Sequence, residues 1–385
     1  MSTEAHDAQT SIFTRMTALA ERTGAVNLGQ GFPDWNGPDA VIDAAVAALR
    51  AGHNQYAPLP GVPPLRRAVA EHQRRRYGIE LDPDSEIQVT FGATEALASA
   101  LLALLEPGDE VAVLDPSYDA YPAVSALAGA RTRPIVLEPP DWRLRAEAVQ
   151  AALGPRTRVL LLNSPHNPTG RVLDAQELEL LAAACREHDI IALTDEVYEH
   201  LIFDGRHIPI ATLPGMFERT ITVSSIGKTH SVTGWKIGWA SGPAELITRL
   251  RNVKQFLTFA GGTPLQHAAA AALALPDAVG AELVERLRGK RDRLAGGLEA
   301  AGFAVLPSQA TYFLTADGAP IGEHDATALC ERLPDEGGIV AIPMAAFAAD
   351  PGGPTRSLVR FAFPKGDGVI GEALERLARW TDARL

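Results

Sequence analysis

The sequence predicts an α/β protein: a mostly parallel sheet sandwiched by helices, with a second, smaller α+β unit beside it. Three observations carry that expectation. Between about residues 85 and 240, short β-rich runs alternate with amphipathic helical runs. Those β-rich runs are largely continuous in their apolar residues, as in strands buried on both faces. After about residue 280 the order changes to one long charged helix followed by short strand-like runs.

In chain order, the expected strands of the larger unit are Ile87–Thr90, Val111–Asp115, Thr132–Val136, Val159–Asn163, Ile190–Thr194 and Thr220–Ser224. Helical stretches separate them at Thr94–Leu105, Ala120–Ala128 and Ala175–Glu187. The later unit reads as a helix over Ala281–Ala301 and strands at Ala304–Leu306, Tyr312–Ala316, Gly338–Ile342 and Leu358–Phe363. A last amphipathic helix is expected at Val369–Arg379. The division that follows is 45–280 for the large domain, and 1–44 with 281–385 for the small one. At 385 residues, two lobes are the natural arrangement for the chain.

Composition narrows the function. Hydrophobic residues make up 46% and charged residues 21%, the balance of a globular protein. Stretches such as Ala96–Leu105 are too short to span a bilayer, and Met1–Thr10 is polar, without the apolar core of a signal peptide. Two cysteines, Cys185 and Cys330, suit a reducing cytoplasm and leave no disulfide framework. A net charge of −12 argues against nucleic acid or a membrane surface as the main partner. A bound anion must therefore be held by a local cluster of cations and amides.

Four segments carry candidate chemistry. The block Ser224-Ser225-Ile226-Gly227-Lys228 continues to Lys236-Ile237-Gly238 and sets a lysine in a small-residue loop just after a β run. Lys236 lies eight residues on, so Ser225 and Lys236 can converge on an anion. Gly92-Ala93-Thr94-Glu95 opens a helix, whose first-turn amides favour an anion. Asn163-Ser164-Pro165-His166-Asn167-Pro168-Thr169-Gly170 forms a rigid turn that fixes the Asn167 amide. Thr194-Asp195-Glu196-Val197-Tyr198 delivers Asp195 to the carboxyl end of an apolar strand, a costly place for a carboxylate without a cation. A protonated pyridine nitrogen would be such a partner. Each segment alone has an ordinary reading: a solvated loop lysine, a turn glycine, a rigid Asn-Pro turn and a helix N-cap.

In order and spacing, the four together resemble the class I/II aminotransferases of fold type I, which use pyridoxal 5'-phosphate. The resemblance runs from about Phe13 to Lys365. Asn27-Leu28-Gly29-Gln30-Gly31-Phe32-Pro33-Asp34 and Asn54-Gln55-Tyr56 are similar to the kynurenine aminotransferase/glutamine transaminase K branch. The run as a whole resembles actinobacterial succinyldiaminopimelate aminotransferases. The resemblance implies that Lys228 is the Schiff-base lysine, that Asp195 pairs with the pyridine nitrogen, and that Asn167 and Tyr198 bond the ring hydroxyl oxygen. It puts Tyr118 on the ring face and Ala93, Thr94, Ser225 and Lys236 around the phosphate. Many relatives have Arg where this chain has Lys236, so the contact is a point charge here. Arg360 should grip the substrate α-carboxylate, with Phe13 and Gly31 lining the pocket. Tyr56 should reach the phosphate of a neighbouring subunit, which implies a homodimer with shared active sites. The implied activity is amino-group transfer between an amino acid and a 2-oxo acid by a ping-pong mechanism.

Two rivals remain at this point: a cysteine-conjugate β-lyase on the same fold, and a non-catalytic regulator. Alternative donors are methionine, glutamine and kynurenine. Where the kynurenine branch carries an aromatic and a histidine, this chain has Gly261 and Gly262. That suggests a wider mouth and a longer, more polar donor, N-succinyl-diaminopimelate, with 2-oxoglutarate as acceptor; a tight backbone turn is the other explanation. The distal carboxylate of that donor needs a cation, for which His230 and Lys254 are candidates.

Overall fold

The computed structural model describes residues 11–384. Met1–Thr10, expected to be no signal peptide, lies outside them. A seven-stranded sheet has the order Ile87–Phe91, Ile237–Ser241, Thr220–Ser225, Ile191–Asp195, Thr157–Asn163, Glu110–Asp115, Arg131–Val136. Every pairing is parallel except the two made by Ile237–Ser241. The six expected strands are present within one or two residues. Ile237–Ser241 is the addition, a strand whose residues read in the sequence as the tail of the lysine loop. All five of its residues are buried, between two strands that it bonds antiparallel.

The helices form where the 3.6-residue pattern and their end signals agree. Ala175–Glu187 starts on a capping box, in which the Asp174 carboxylate accepts from Glu177 N–H and the Glu177 carboxylate accepts from Asp174 N–H. Ile12–Thr23 is capped by Ser11 and stopped by Gly24 in the left-handed region at φ 65°. The helix Gly92–Leu104 packs on Ala244–Leu257 over one face of the large sheet. Apolar side chains such as Leu97, Leu101, Val111 and Ile247 fill the space beneath, all 4% exposed or less.

The smaller sheet has the order Ile342–Pro343, Leu358–Ala362, Phe313–Asp317, Ala304–Val305. The expected single strand Gly338–Ile342 is in fact two. Ile339–Val340 pairs parallel with Val26–Asn27, while Ile342–Pro343 pairs with Leu358–Ala362. The N-terminal segment is thereby stitched to the C-terminal third of the chain. The divisions expected after residues 44 and 280 both fall inside helices. Asp39–Arg50 packs as one piece on Thr263–Leu273, and Asp277–Ala300 is continuous. Strand Leu358–Ala362 lies close to the large sheet's carboxyl ends, and that junction positions the site.

Candidate active site

A cavity of about 300 Å³ lies beyond the carboxyl ends of the parallel strands, the usual ligand position in such sheets. It is lined by Phe13, Gly31, Ala93, Thr94, Tyr118, Asn167, Asp195, Tyr198, Ser225, Lys228, Lys236 and Arg360. Twelve residues singled out from sequence thus converge from segments as far as 347 residues apart. Tyr56 is the exception: it is 84% exposed, edge-on to the Phe259 ring at 5.7 Å, and does not line this cavity.

One end is built for an anion. The helix Gly92–Leu104 points its free amides at the cavity, and Gly92 takes φ +69° to start it. A Cβ on Gly92 would lie 3.2 Å from Lys236 Nζ, so the ammonium sits directly beside the helix start. Lys236 itself is at φ 54°, a left-handed residue that turns the chain into strand Ile237–Ser241. Burial, and then the charge of Lys228, push the Lys236 ammonium below its usual pKa. Gly238 permits the close approach, because a Cβ there would meet Gly92 C at 2.7 Å and Ala93 N at 2.8 Å. Ser225 ends strand Thr220–Ser225 at the same place.

The middle holds Asp195 and Lys228. Asp195 is buried, its Oδ2 accepting from Tyr121 Oη at 2.9 Å and its Oδ1 from Val197 N at 3.3 Å. Burial raises its carboxyl to about 6, against the lowering effect of those hydrogen bonds and of Lys228. A carboxyl in that condition gains most from a cationic partner. Lys228 lies on the single turn Ile226–Thr229, its Nζ 5.7 Å from the centres of the Tyr198 and Tyr312 rings. Burial holds the Tyr198 hydroxyl well above its usual pKa, so it stays a donor.

At the far end Arg360 is 1% exposed. Its Nη1 donates to Asn167 Oδ1 at 3.0 Å and its Nη2 to the Gly29 carbonyl at 3.1 Å, while Nε has no partner. Phe313, Phe347 and Phe13 surround the guanidinium at 4.0, 4.5 and 5.4 Å from their ring centres. Asn167 is itself fixed by its backbone N–H, which donates to Asn163 Oδ1 at 2.7 Å. With Oδ1 committed to Arg360, Nδ2 is the Asn167 group available to a ligand. Gly31 is required by packing, since a Cβ would stand 2.5 Å from the Phe313 ring.

Sequence reasoning missed Tyr121, Phe313 and Phe347. Tyr121 follows Tyr118 at helical spacing and could have been noticed; the phenylalanines come from a different unit and carry no local signal. The two candidate cations are corrected. His230 lines a separate cavity and burial lowers it to about 4, so it is neutral. Lys254 is 1% exposed and donates to the Phe259 carbonyl at 2.6 Å, beside Glu95. Gly261 also has a packing reason: a Cβ would fall 1.7 Å from the Phe91 ring. Gly262 is left-handed at φ 55°. The tight-turn explanation accounts for both glycines, and the wider-mouth argument loses its support.

The donor set suits pyridoxal phosphate. There is an amine on a short turn, a buried carboxyl raised toward neutrality, a helix N-terminus beside an ammonium, and a buried guanidinium with an unpartnered Nε. A phosphate, a ring cation and an α-carboxylate each find the complementary group.

The comparisons agree with the geometry. Residues 23–377 match the family model "Aminotransferase class I and II". A Mycobacterium tuberculosis protein described as "Probable N-succinyldiaminopimelate aminotransferase" is 51% identical over 379 residues, 96% of each chain. The methionine aminotransferase of Escherichia coli is 41% identical over 375 residues, 96% of this chain and 95% of that one. The solved structure of N-succinyldiaminopimelate aminotransferase from M. tuberculosis superposes with a TM-score of 0.94 at 51% identity, covering 97% of both chains.

Proposed function

Because the chain belongs to the class I and II aminotransferases, and so is a pyridoxal-phosphate-dependent enzyme of fold type I, we propose the following roles and amino donor for it. Lys228 Nζ would bond the cofactor at rest and, once the donor's amino group has displaced it, would be the free amine that acts as base. Asp195 holds the proton on the ring nitrogen, and Tyr198 Oη and Asn167 Nδ2 donate to the ring oxygen. Tyr118 covers the ring face; the Ala93 and Thr94 amides, the Ser225 hydroxyl and Lys236 hold the phosphate.

When bound, the cofactor supplies the electron sink that makes the substrate Cα–H acidic. Arg360 binds the α-carboxylate, and the three phenyl rings around it exclude water and fix the guanidinium plane. Lys228 Nζ, once free, would take the Cα proton and hold it for return, a base held close enough to act without diffusion. The convergence of Lys228, Asp195 and Arg360 on one cavity carries this reading.

The donor we infer is N-succinyl-diaminopimelate, with 2-oxoglutarate as acceptor, on the strength of the 51% identity over 96% of the chain. Among the described residues the cavity's lysines and arginine are Lys228, Lys236 and Arg360, all given roles above. The distal carboxylate therefore has to be met at the mouth. The exposed Tyr56 and Phe259 rings, edge-on at 5.7 Å, are suited to packing against a second copy, whose phosphate Tyr56 would reach. A cytoplasmic location is in keeping with two buried, unpaired cysteines.

The test is a panel of succinyl-diaminopimelate, glutamine, methionine and kynurenine, scored by single-turnover conversion of the cofactor to its amine form. A specificity ratio above one for the succinylated donor supports the assignment. A ratio at or below one against methionine overturns the donor and leaves the aminotransferase chemistry standing.

A further inference from the structure

Behind the turn that carries Lys228 is a second cavity of about 340 Å³, separate from the active site and lined on one side by Thr229 and His230. Two potential metal ligands, His72 and His200, line it, and Glu199 stands beside them, so that three such groups meet from two elements. His72 comes from the helix Pro63–Tyr77, and Glu199 and His200 from the segment following strand Ile191–Asp195. Their ligand atoms all lie within 4.8 Å of one another. His72 Nε2 and His200 Nε2 face each other at 2.7 Å, and His200 Nε2 is 3.9 Å from Glu199 Oε2.

We propose that His72, His200 and Glu199 form a binding site for a divalent transition metal of the zinc class, completed by water from this cavity. Two imidazoles and a carboxylate are a zinc-type ligand set, and one that suits magnesium or calcium poorly. With metal–ligand bonds of about 2.0–2.1 Å, tetrahedral neighbours stand roughly 3.3 Å apart. The observed 2.7 and 3.9 Å bracket that value, so small side-chain rotations of opposite sense make the site. Glu199 is already oriented by two donors, Tyr77 Oη on Oε2 and Ser224 Oγ on Oε1, each at 2.6 Å.

Burial lowers both His200 and His72, in the direction of the neutral imidazole. Burial alone would raise the Glu199 carboxyl, while the Ser224 hydroxyl that donates to it favours the ionised form. Arg75 and Arg76 also face the cavity, and both lean on Asp277. His72 Nδ1 has no hydrogen-bond partner. The missing outer contact should leave the affinity about 10- to 100-fold below that of a fully supported site.

The test uses the holoenzyme, stripped of metal by chelator and titrated with zinc chloride in a calorimeter. One zinc per chain is expected in the wild type, with that binding lost in His200→Gln and in His72→Gln. His267→Gln is the control, because His53 and His267 stack at 4.0 Å elsewhere and offer an adventitious pair. Its zinc stoichiometry should match the wild type. No stoichiometric zinc in the wild type, or one zinc retained in His200→Gln, overturns the proposal. If the glutamine variants misfold, zinc K-edge absorption on the wild type decides. Two nitrogen ligands at about 2.0 Å with oxygen support the site, and an all-oxygen or sulfur shell overturns it.

Discussion

Asp195→Asn should make the cofactor-free protein more stable at neutral pH, and by an amount that depends on pH. The carboxyl is raised from 3.8 to about 6 by burial, so folding costs free energy whenever the group must ionise. Between those two values the folded state binds more protons than the unfolded state, and stability falls as pH rises. A shift of about 2 units corresponds to about 3 kcal/mol, complete by about pH 6.5. Asparagine has no such term, and its altered hydrogen bonds to Tyr121 and Val197 add an offset that does not vary with pH. Urea unfolding of cofactor-free wild type and variant from pH 3.5 to 7.5 reads the difference directly. The variant's advantage should grow by about 3 kcal/mol across that range and then level off. Adding cofactor should reverse the order at pH 7.5, because a ring cation now pairs with the wild-type carboxylate. A pH-independent difference, or one of the opposite slope, refutes the account of Asp195 as a strained acid awaiting a cation.

Other perturbations probe the remaining parts. Lys228→Ala should abolish covalent trapping of the cofactor by borohydride; trapping at another lysine with normal turnover removes the assignment. Arg360→Lys exchanges a planar fork for a point charge and should weaken every α-amino acid donor, by about 10- to 100-fold in kcat/KM, if two hydrogen bonds to a charged group are reduced to one. An effect confined to one donor contradicts it. Mixing Lys228→Ala with an inactivating Tyr56 variant should restore part of the activity through heterodimers, and no recovery counts against a shared site. Gly261→Ala should cost about 1–3 kcal/mol by overpacking against Phe91, and Phe91→Ala in the same chain should relieve it, as thermal unfolding of the two variants will show.

Much of this was legible in the chain because many cavity-lining residues sit in short segments tied to strand ends. Gly92, Asn167, Asp195 and Lys228 each follow an apolar run, and a parallel sheet places such positions on one edge. Strand Ile237–Ser241 was not legible, since its neighbours in the sheet, Ile87–Phe91 and Thr220–Ser225, are set by tertiary packing and not by its own pattern. The same holds for the split of Gly338–Ile342: five residues cannot announce that they serve two sheets. His230 and Lys254 failed as mouth cations because burial is invisible in a list of charged residues. The ring cage of Arg360 depends on contacts from residues 13, 313 and 347, beyond any local signal.

The bond from Arg360 Nη1 to Asn167 Oδ1 joins strand Leu358–Ala362 of the small sheet to the loop after strand Thr157–Asn163 of the large one. One amide thus bears on both binding events: its oxygen accepts from the guanidinium, which leaves its nitrogen for the ring contact proposed above. Whatever stiffens Asn167 from one side prepares it for the other. Linkage then requires reciprocity: if cofactor tightens the binding of a carboxylate inhibitor by some factor, the inhibitor must tighten cofactor by that same factor. An Asn167→Ala enzyme should bind each of the two as though the other were absent.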